Sequence, residues 1–310
     1  YIIVSMAQGG ANNGLNASAP FFTMTDVAVN GASALAADGG QLFLTGVVKD
    51  PNTGNPVTNA GFSKDLINSA YPLTVSYHPE MGNQTGRIDV GTGKVGFSWD
   101  GSILPDTATP KENFSDGAIR YATVAGLLAA NGGGDYYASN DASALELTTV
   151  LSGTFGPAFT TANHGITINS GYACQYSTQY LHATVTGNPT TASFAAYTLG
   201  DLGVGASPTG GQTWNKYVCF NAPGNVQIMS TTVSASTTSD SAATATGSLL
   251  PLQYNGSVAF VPVFNPANNP TAQSFLRVIN PSGTDGKVTI VGTDDDGNQS
   301  YPAGGQQTQA

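Results

Sequence analysis

The residues able to do chemistry are few and scattered. The chain has three histidines, His78, His164 and His182. None has the i,i+4 or similarly short spacing of a metal site, and each reads as a surface or half-buried strand residue. No Gly-x-Ser-x-Gly elbow and no phosphate-binding P-loop occurs. The nearest approach to a phosphate loop, Gly91-Thr92-Gly93-Lys94, lacks the full spacing and reads as a hairpin turn. Asp294-Asp295-Asp296-Gly297-Asn298 offers oxygen ligands, so Asp294, Asp296 and Asn298 are a weak Ca²⁺ candidate. An EF-hand needs Gly at the sixth position, where Gln299 stands, and the bland reading is a turn with Asp-Gly in its corner. Glycoside hydrolysis needs two facing acids, and the 19 acidic residues are too dispersed to reveal a pair. Trp99 and Trp214 could stack on sugars, but their strand context favours the core. These residues predict no enzyme, no catalytic group and no cofactor.

Covalent chemistry is better marked. Cys174 and Cys219 are the two cysteines, 45 residues apart, each in strand-like sequence. An even count in a secreted-looking chain predicts one disulfide. Closing such a loop contributes about 4 kcal/mol in the chain-entropy model. Five Asn-x-Ser/Thr sequons, at Asn16, Asn83, Asn113, Asn255 and Asn298, are possible glycosylation sites, although chance explains several in a chain rich in these residues.

The composition supplies the setting. Charged residues are 9% of the 310 residues, with only 9 Lys and Arg and a net charge of −10. An ordinary domain carries about 25% charged residues. Without basic stripes, nucleic acid and anionic membranes are unlikely partners, and no apolar run approaches the ~20 residues of a membrane-spanning helix. A surface of Ser, Thr, Asn, Gln and Gly lacks the charges that keep proteins apart. The chain opens at Tyr1 rather than Met, so an upstream segment has been removed or lies outside this sequence, and the lack of a signal peptide does not argue against the secreted or cell-surface location that the composition leads us to expect.

The elements that must position these residues read as β. Short apolar runs alternate with turn signals from 39 Gly and 17 Pro. Candidate strands are Tyr1–Met6, Gln41–Val48, Leu73–Tyr77, Arg87–Val90, Lys94–Trp99, Ile166–Ile168, His182–Val185, Phe194–Thr198, Val226–Thr232, Val258–Phe264, Ser274–Ile279 and Lys287–Gly292. In Gln41–Val48 the outer face would carry Gln, Phe, Thr and Val. Ile119, Val124, Leu127 and Leu128 fall near helical spacing, so a helix is expected over 116–130 and a second helical turn over 141–151. The Ser/Thr/Ala-rich stretch 230–248 reads as a linker or a solvated edge strand. The expected fold is mainly β: antiparallel β-sandwich domains with one or two short helices inserted near 115–151. The expected domains are 1–229, with room for two subdomains, and 249–310, a small β-sandwich unit that stops before the later strands of a complete one.

The C-terminal quarter adds a resemblance. Phe275-Leu276-Arg277-Val278-Ile279-Asn280-Pro281-Ser282, followed by Val288-Thr289-Ile290-Val291-Gly292-Thr293-Asp294-Asp295-Asp296-Gly297, resembles β-sandwich modules of secreted and surface proteins of Gram-negative, often marine, bacteria. The resemblance implies an extracellular β setting and no catalytic residues. Tyr1, Ile2, Ile3, Val4, Ser5 and Met6 are patterned like Val226–Ser230 and would suit a donor strand completing a neighbouring copy. The expected function is a self-assembling subunit of a surface filament, pilus-like fibre or layer, with other copies of itself as partners. The alternative is a carbohydrate-binding or adhesin module, with glycans as partners.

Overall fold

The computed structural model describes residues 39–257, apart from 50–51, 106, 129–134, 140–144, 161–163, 186–189, 206–207 and 240–241, and scattered positions after 258. The chain divides into two units, Tyr1–Ser257 and Val258–Ala310. The first unit begins with a ribbon, β1 (Gln41–Lys49) paired antiparallel with β2 (Pro56–Asn68). Next come β3 (Leu73–His78), a small hairpin of β4 (Arg87–Ile88) and β5 (Phe97–Ser98), and β6 (Asn113–Thr123). Then follow β7 (Glu146–Ser152), β8 (Gly165–Asn169), β9 (Leu181–Val185), β10 (Thr191–Phe194), β11 (Tyr197–Thr198), β12 (Thr213–Asn221), β13 (Ser234–Ser239) and β14 (Ala242–Ser248).

Nine of these strands close into a barrel, in the order β10-β9-β8-β12-β6-β3-β14-β13-β7 and back to β10. The closing ladder pairs Ala192 with Leu151. This overturns the expected sandwich. A sandwich leaves two sheets with free edges, whereas β7 takes β13 on one side and β10 on the other, so the single sheet has none. An odd number of staves cannot alternate in direction all the way round. One ladder must run parallel, and it is β3–β14, registered at Leu73 and Ala242; the other eight are antiparallel.

The expected helices are strands. In β6, Ile119, Tyr121 and Thr123 are buried while Arg120 and Ala122 between them are half-buried, a period of two rather than 3.6. Ile119 sits on one rung with Tyr77 and Lys216, deep in the sheet, so tertiary pairing overrides the local spacing. In β7, Leu147, Thr149 and Leu151 point inward in the same way. Among the described residues α-helix is limited to one turn, Tyr136–Ser139. The stretch expected as a linker supplies two staves, β13 and β14; in β13 it buries Ala235 and Thr237 through its own alternation. Of Val226–Thr232 only Thr231 pairs, in an isolated bridge to Leu252. The described positions of 258–264 and 274–279 are not in strands. The first unit runs to Ser257.

The interior is filled from all sides. Leu73, Ile119, Leu151, Ile166, Ile168, Val218 and Phe220 are almost wholly enclosed. Phe220 meets Phe155 at 5.8 Å and Phe159 at 5.0 Å between ring centroids. Apolar inside with Arg120 and Asn215 outside, joined by a 3.0 Å hydrogen bond, is the reverse of a lipid-facing barrel. No helix among the described residues is long and apolar enough to cross a membrane.

Polar atoms in this interior form a chain of five hydroxyls. Tyr121 Oη lies 2.8 Å from Tyr197 Oη, Tyr197 Oη 2.6 Å from Thr149 Oγ1, Thr149 Oγ1 2.7 Å from Thr237 Oγ1, and Thr237 Oγ1 2.6 Å from Tyr77 Oη. Each hydroxyl has one proton to donate. Four bonds use four protons, leaving one spare. Tyr121 is completely enclosed, whereas Tyr77 is partly exposed, so the spare proton is best solvated at Tyr77. Burial pushes the Tyr77 phenol up to about 12 and the Tyr121 and Tyr197 phenols upward too. All three therefore stay neutral donors through the physiological range. Tyr197→Phe removes the second hydroxyl of the five and takes away Tyr121's partner, while Thr149 keeps Thr237; the expected loss is about 1–3 kcal/mol in urea denaturation, and an unchanged midpoint would count against a cooperative chain.

Candidate functional site: a slit in the barrel wall

The barrel wall is complete but not tight. β8 and β9 are registered at only two rungs, Thr167 with His182 and Ile168 with Leu181. Beyond them the strands part: Gly165 and Ile166 stay paired with β12, and Ala183 and Val185 lie along β10's side of the sheet. The gap is a cavity of about 370 Å³. Its walls carry Thr160 and His164 on one side, His182 and Thr184 on the other, Tyr176 beside them, and the buried Phe159. The Tyr176 ring lies 6.3 Å from the His164 ring and 5.0 Å from the His182 ring. Two of the three histidines, 18 residues apart in sequence, thus meet at one tyrosine. No spacing rule could reveal this, because the β8–β9 ladder and the intervening loop do the gathering.

That loop is held by the disulfide. Cys174 and Cys219 are bonded, with Cα atoms 5.3 Å apart, and both are buried. Cys219 shares its rungs with Thr167 and Ser115, on the outward side of β12, opposite in direction to Val218 and Phe220. Cys174 takes a left-handed backbone, φ 55°, which turns the loop onto the barrel two residues before Tyr176. Tyr172 meets the Tyr217 ring edge-on at 5.8 Å. His182 Nε2 lies 3.0 Å from the Ser177 carbonyl; a carbonyl only accepts, so Nε2 carries the proton and Nδ1 is left as an acceptor. A buried disulfide belongs to an oxidising compartment.

The remaining predicted site residues are structural or lie outside the described residues. Asn255 Nδ2 donates to Asp89 Oδ1 at 2.7 Å and to the Ser102 carbonyl at 2.8 Å, and its Oδ1 accepts from Val90 N–H. Asn83 is buried, its Oδ1 accepting from the N–H groups of Thr85 and Gly86. Both side chains are internal ties in the fold. Asn113 is half-buried at the start of β6, opposite Asn221. The donor strand Tyr1–Met6, the calcium candidates Asp294, Asp296 and Asn298, and the sequon at Asn16 fall outside the described residues. Among the described residues no group of three or more His, Cys, Asp or Glu is placed to hold a metal. Gly91–Lys94 is a turn held by Asp89, whose Oδ2 accepts from Thr92 N–H and Oγ1. His78 Nδ1 lies 2.5 Å from Glu80 Oε1 at the barrel surface. Trp99 donates to the Asn113 carbonyl at 2.8 Å, and Trp214 packs against the core.

Two buried ionisable groups escaped the sequence reading. Lys216 is 7% exposed on the inward side of β12, and burial lowers its ammonium pKa. Asp116 is the extra residue where β6 slips against β12, between Ser115 and Gly117. Its carboxyl is fully enclosed and neither oxygen has a donor, so desolvation raises its pKa well above the usual carboxylate range. Only the pairing of both strands, invisible locally, buries it. No family model matches this chain, and the search of curated proteins finds no match. In the unfolded chain Asp116 releases its proton near 3.8, while the folded chain holds it to higher pH. Folding stability therefore falls as pH rises through that window. Asp116→Asn is expected to flatten this slope in denaturation curves taken from pH 3 to 7; identical slopes would place the proton elsewhere.

Proposed function

We propose that the chain is an extracellular structural subunit that assembles with copies of itself. The observation that carries this reading is the β1 edge. The barrel closes its own edges, but among the described residues the β1–β2 ribbon has two open ones. Natural edge strands are guarded by charge or proline. β2 is guarded, with Pro56, Lys64 and Asp65. β1 is not: its one charged residue, Lys49, stands at its end. Along β1 exposure alternates, and Phe43 and Val47 stand 58% and 60% exposed. A lone two-stranded ribbon is marginal in water, so this one gains by being covered.

Antiparallel pairing of β1 with its copy about Thr45 sets Phe43 opposite Val47 and Gln41 opposite Lys49. An aromatic meets a β-branched residue and no like charges face each other, both favourable. The scarcity of surface charge and the oxidising compartment support the same reading. So do exposed Leu276, Val278 and Ile279 in the second unit; its described residues contribute nothing to the buried core, which ends at Leu252. The strand donor expected at the N-terminus finds no open edge in the barrel, so exchange would engage the ribbon.

Light scattering and negative-stain microscopy over a concentration series test the proposal. Particles larger than one chain, growing with concentration, are expected. Thr45→Lys sets two ammonium groups face to face at the two-fold axis and should raise the assembly concentration several-fold, with the barrel's melting unchanged. A monomer at every concentration would overturn the reading.

A further inference from the structure

We propose that the slit between β8 and β9 is a binding site for a neutral, polyhydroxylated ligand, the size of a terminal hexose of a glycan. The proposal is independent of self-assembly. A cavity of about 370 Å³ lies at the small end of ligand clefts. Its described lining holds no Asp, Glu, Lys or Arg. A phosphate, carboxylate or ammonium entering it would lose hydration without meeting a countercharge. What the lining offers instead is neutral hydrogen bonding: Thr160 and Thr184 hydroxyls, the Tyr176 phenol and two imidazoles. His182 presents Nδ1 as an acceptor because Nε2 is engaged by Ser177. A sugar hydroxyl both donates and accepts, and so matches every one of these groups.

The parted ladder adds to this. Gly165 and Ile166 on one lip and Ala183 and Val185 on the other are not paired across the gap, though each lip is held by its neighbour on the far side. Rings supply the apolar half of the recognition: Tyr176 between two imidazoles, and Phe159 buried beside them. Such faces suit the C–H side of a pyranose, while its rim of hydroxyls meets the polar wall. The site is also held in place before any ligand arrives. The disulfide anchors the loop two residues before Tyr176, and the His182–Ser177 bond anchors it one residue after. Little ordering remains to be done on binding, which favours affinity at a small contact area.

Histidine carbethoxylation mapped by mass spectrometry tests this on the full chain, whatever its state of assembly. The neutral probes are galactose, glucose, mannose and N-acetylglucosamine; sialic acid and glucose 6-phosphate are the charged controls. At least one neutral sugar should protect His164 and His182 saturably and leave His78, outside the slit, unprotected. Tyr176→Ala should weaken that protection by about tenfold, whereas Tyr176→Phe retains most of it. Thr184→Val, an exposed change, is the second variant and should weaken protection without touching the fold. The proposal fails if no neutral sugar protects these two histidines, if a charged control protects better, or if both Tyr176→Ala and Thr184→Val bind as the parent does. Protection by an extended peptide but by no sugar would likewise overturn it.

Discussion

Closure of the sheet is the constraint on which the rest of the structure depends. Nine staves meet only because β7 accepts β10 on the side that β13 leaves free. Closure removes every edge from the barrel and encloses the Phe155–Phe159–Phe220 cluster. It also forces one parallel ladder into an otherwise antiparallel ring. That seam is the least regular of the nine, with a single registered pair. Packing compensates there. The Tyr77 ring lies against Gly247, where a Cβ would come within 2.6 Å of it, and Tyr77 ends the hydroxyl chain at Thr237. The chain of hydroxyls therefore ties together staves that the backbone joins only loosely.

The same economy governs the charges. A chain with few charged residues buries two of them, Lys216 and Asp116, without a countercharge. A third, Asp89, is buried but satisfied, by Thr92, Leu104 and Asn255. Asp89 fixes the 89–104 loop to the segment that follows β14, and so does as a ligand for backbone N–H groups what salt bridges do in other proteins. Asp116 has no such partners and is a cost that the closed barrel tolerates.

Much of the β framework was legible in the sequence, because alternation survives wherever one face is buried. The inward and outward residues of β1 and of the strand at Leu73 follow from it, whereas β8, buried at every position, shows no alternation. Alternation does not say whether a sheet ends or closes; that depends on the Leu151–Ala192 pairing, 41 residues apart in the chain. The β6 error has the same root. Ile119, Val124, Leu127 and Leu128 fit a helix by themselves, and only Lys216 and Tyr77 on either side make Ile119 a strand residue. The disulfide was legible from count and compartment. The slit was not, since its two histidines come together only through the register of β8 with β9.

The parallel seam has a mechanical consequence. The chain enters the barrel at Leu73 and leaves it at Ser248, on adjacent staves. Because these staves run in the same direction, entry and exit lie at opposite ends of the barrel. Tension applied along the chain from both sides would slide β3 and β14 past their neighbours, loading the β3–β6 and β13–β14 hydrogen bonds together in shear instead of unzipping them one by one. A barrel of even count, with its first and last staves adjacent and antiparallel, would peel. The odd stave thus turns a topological necessity into resistance to pulling.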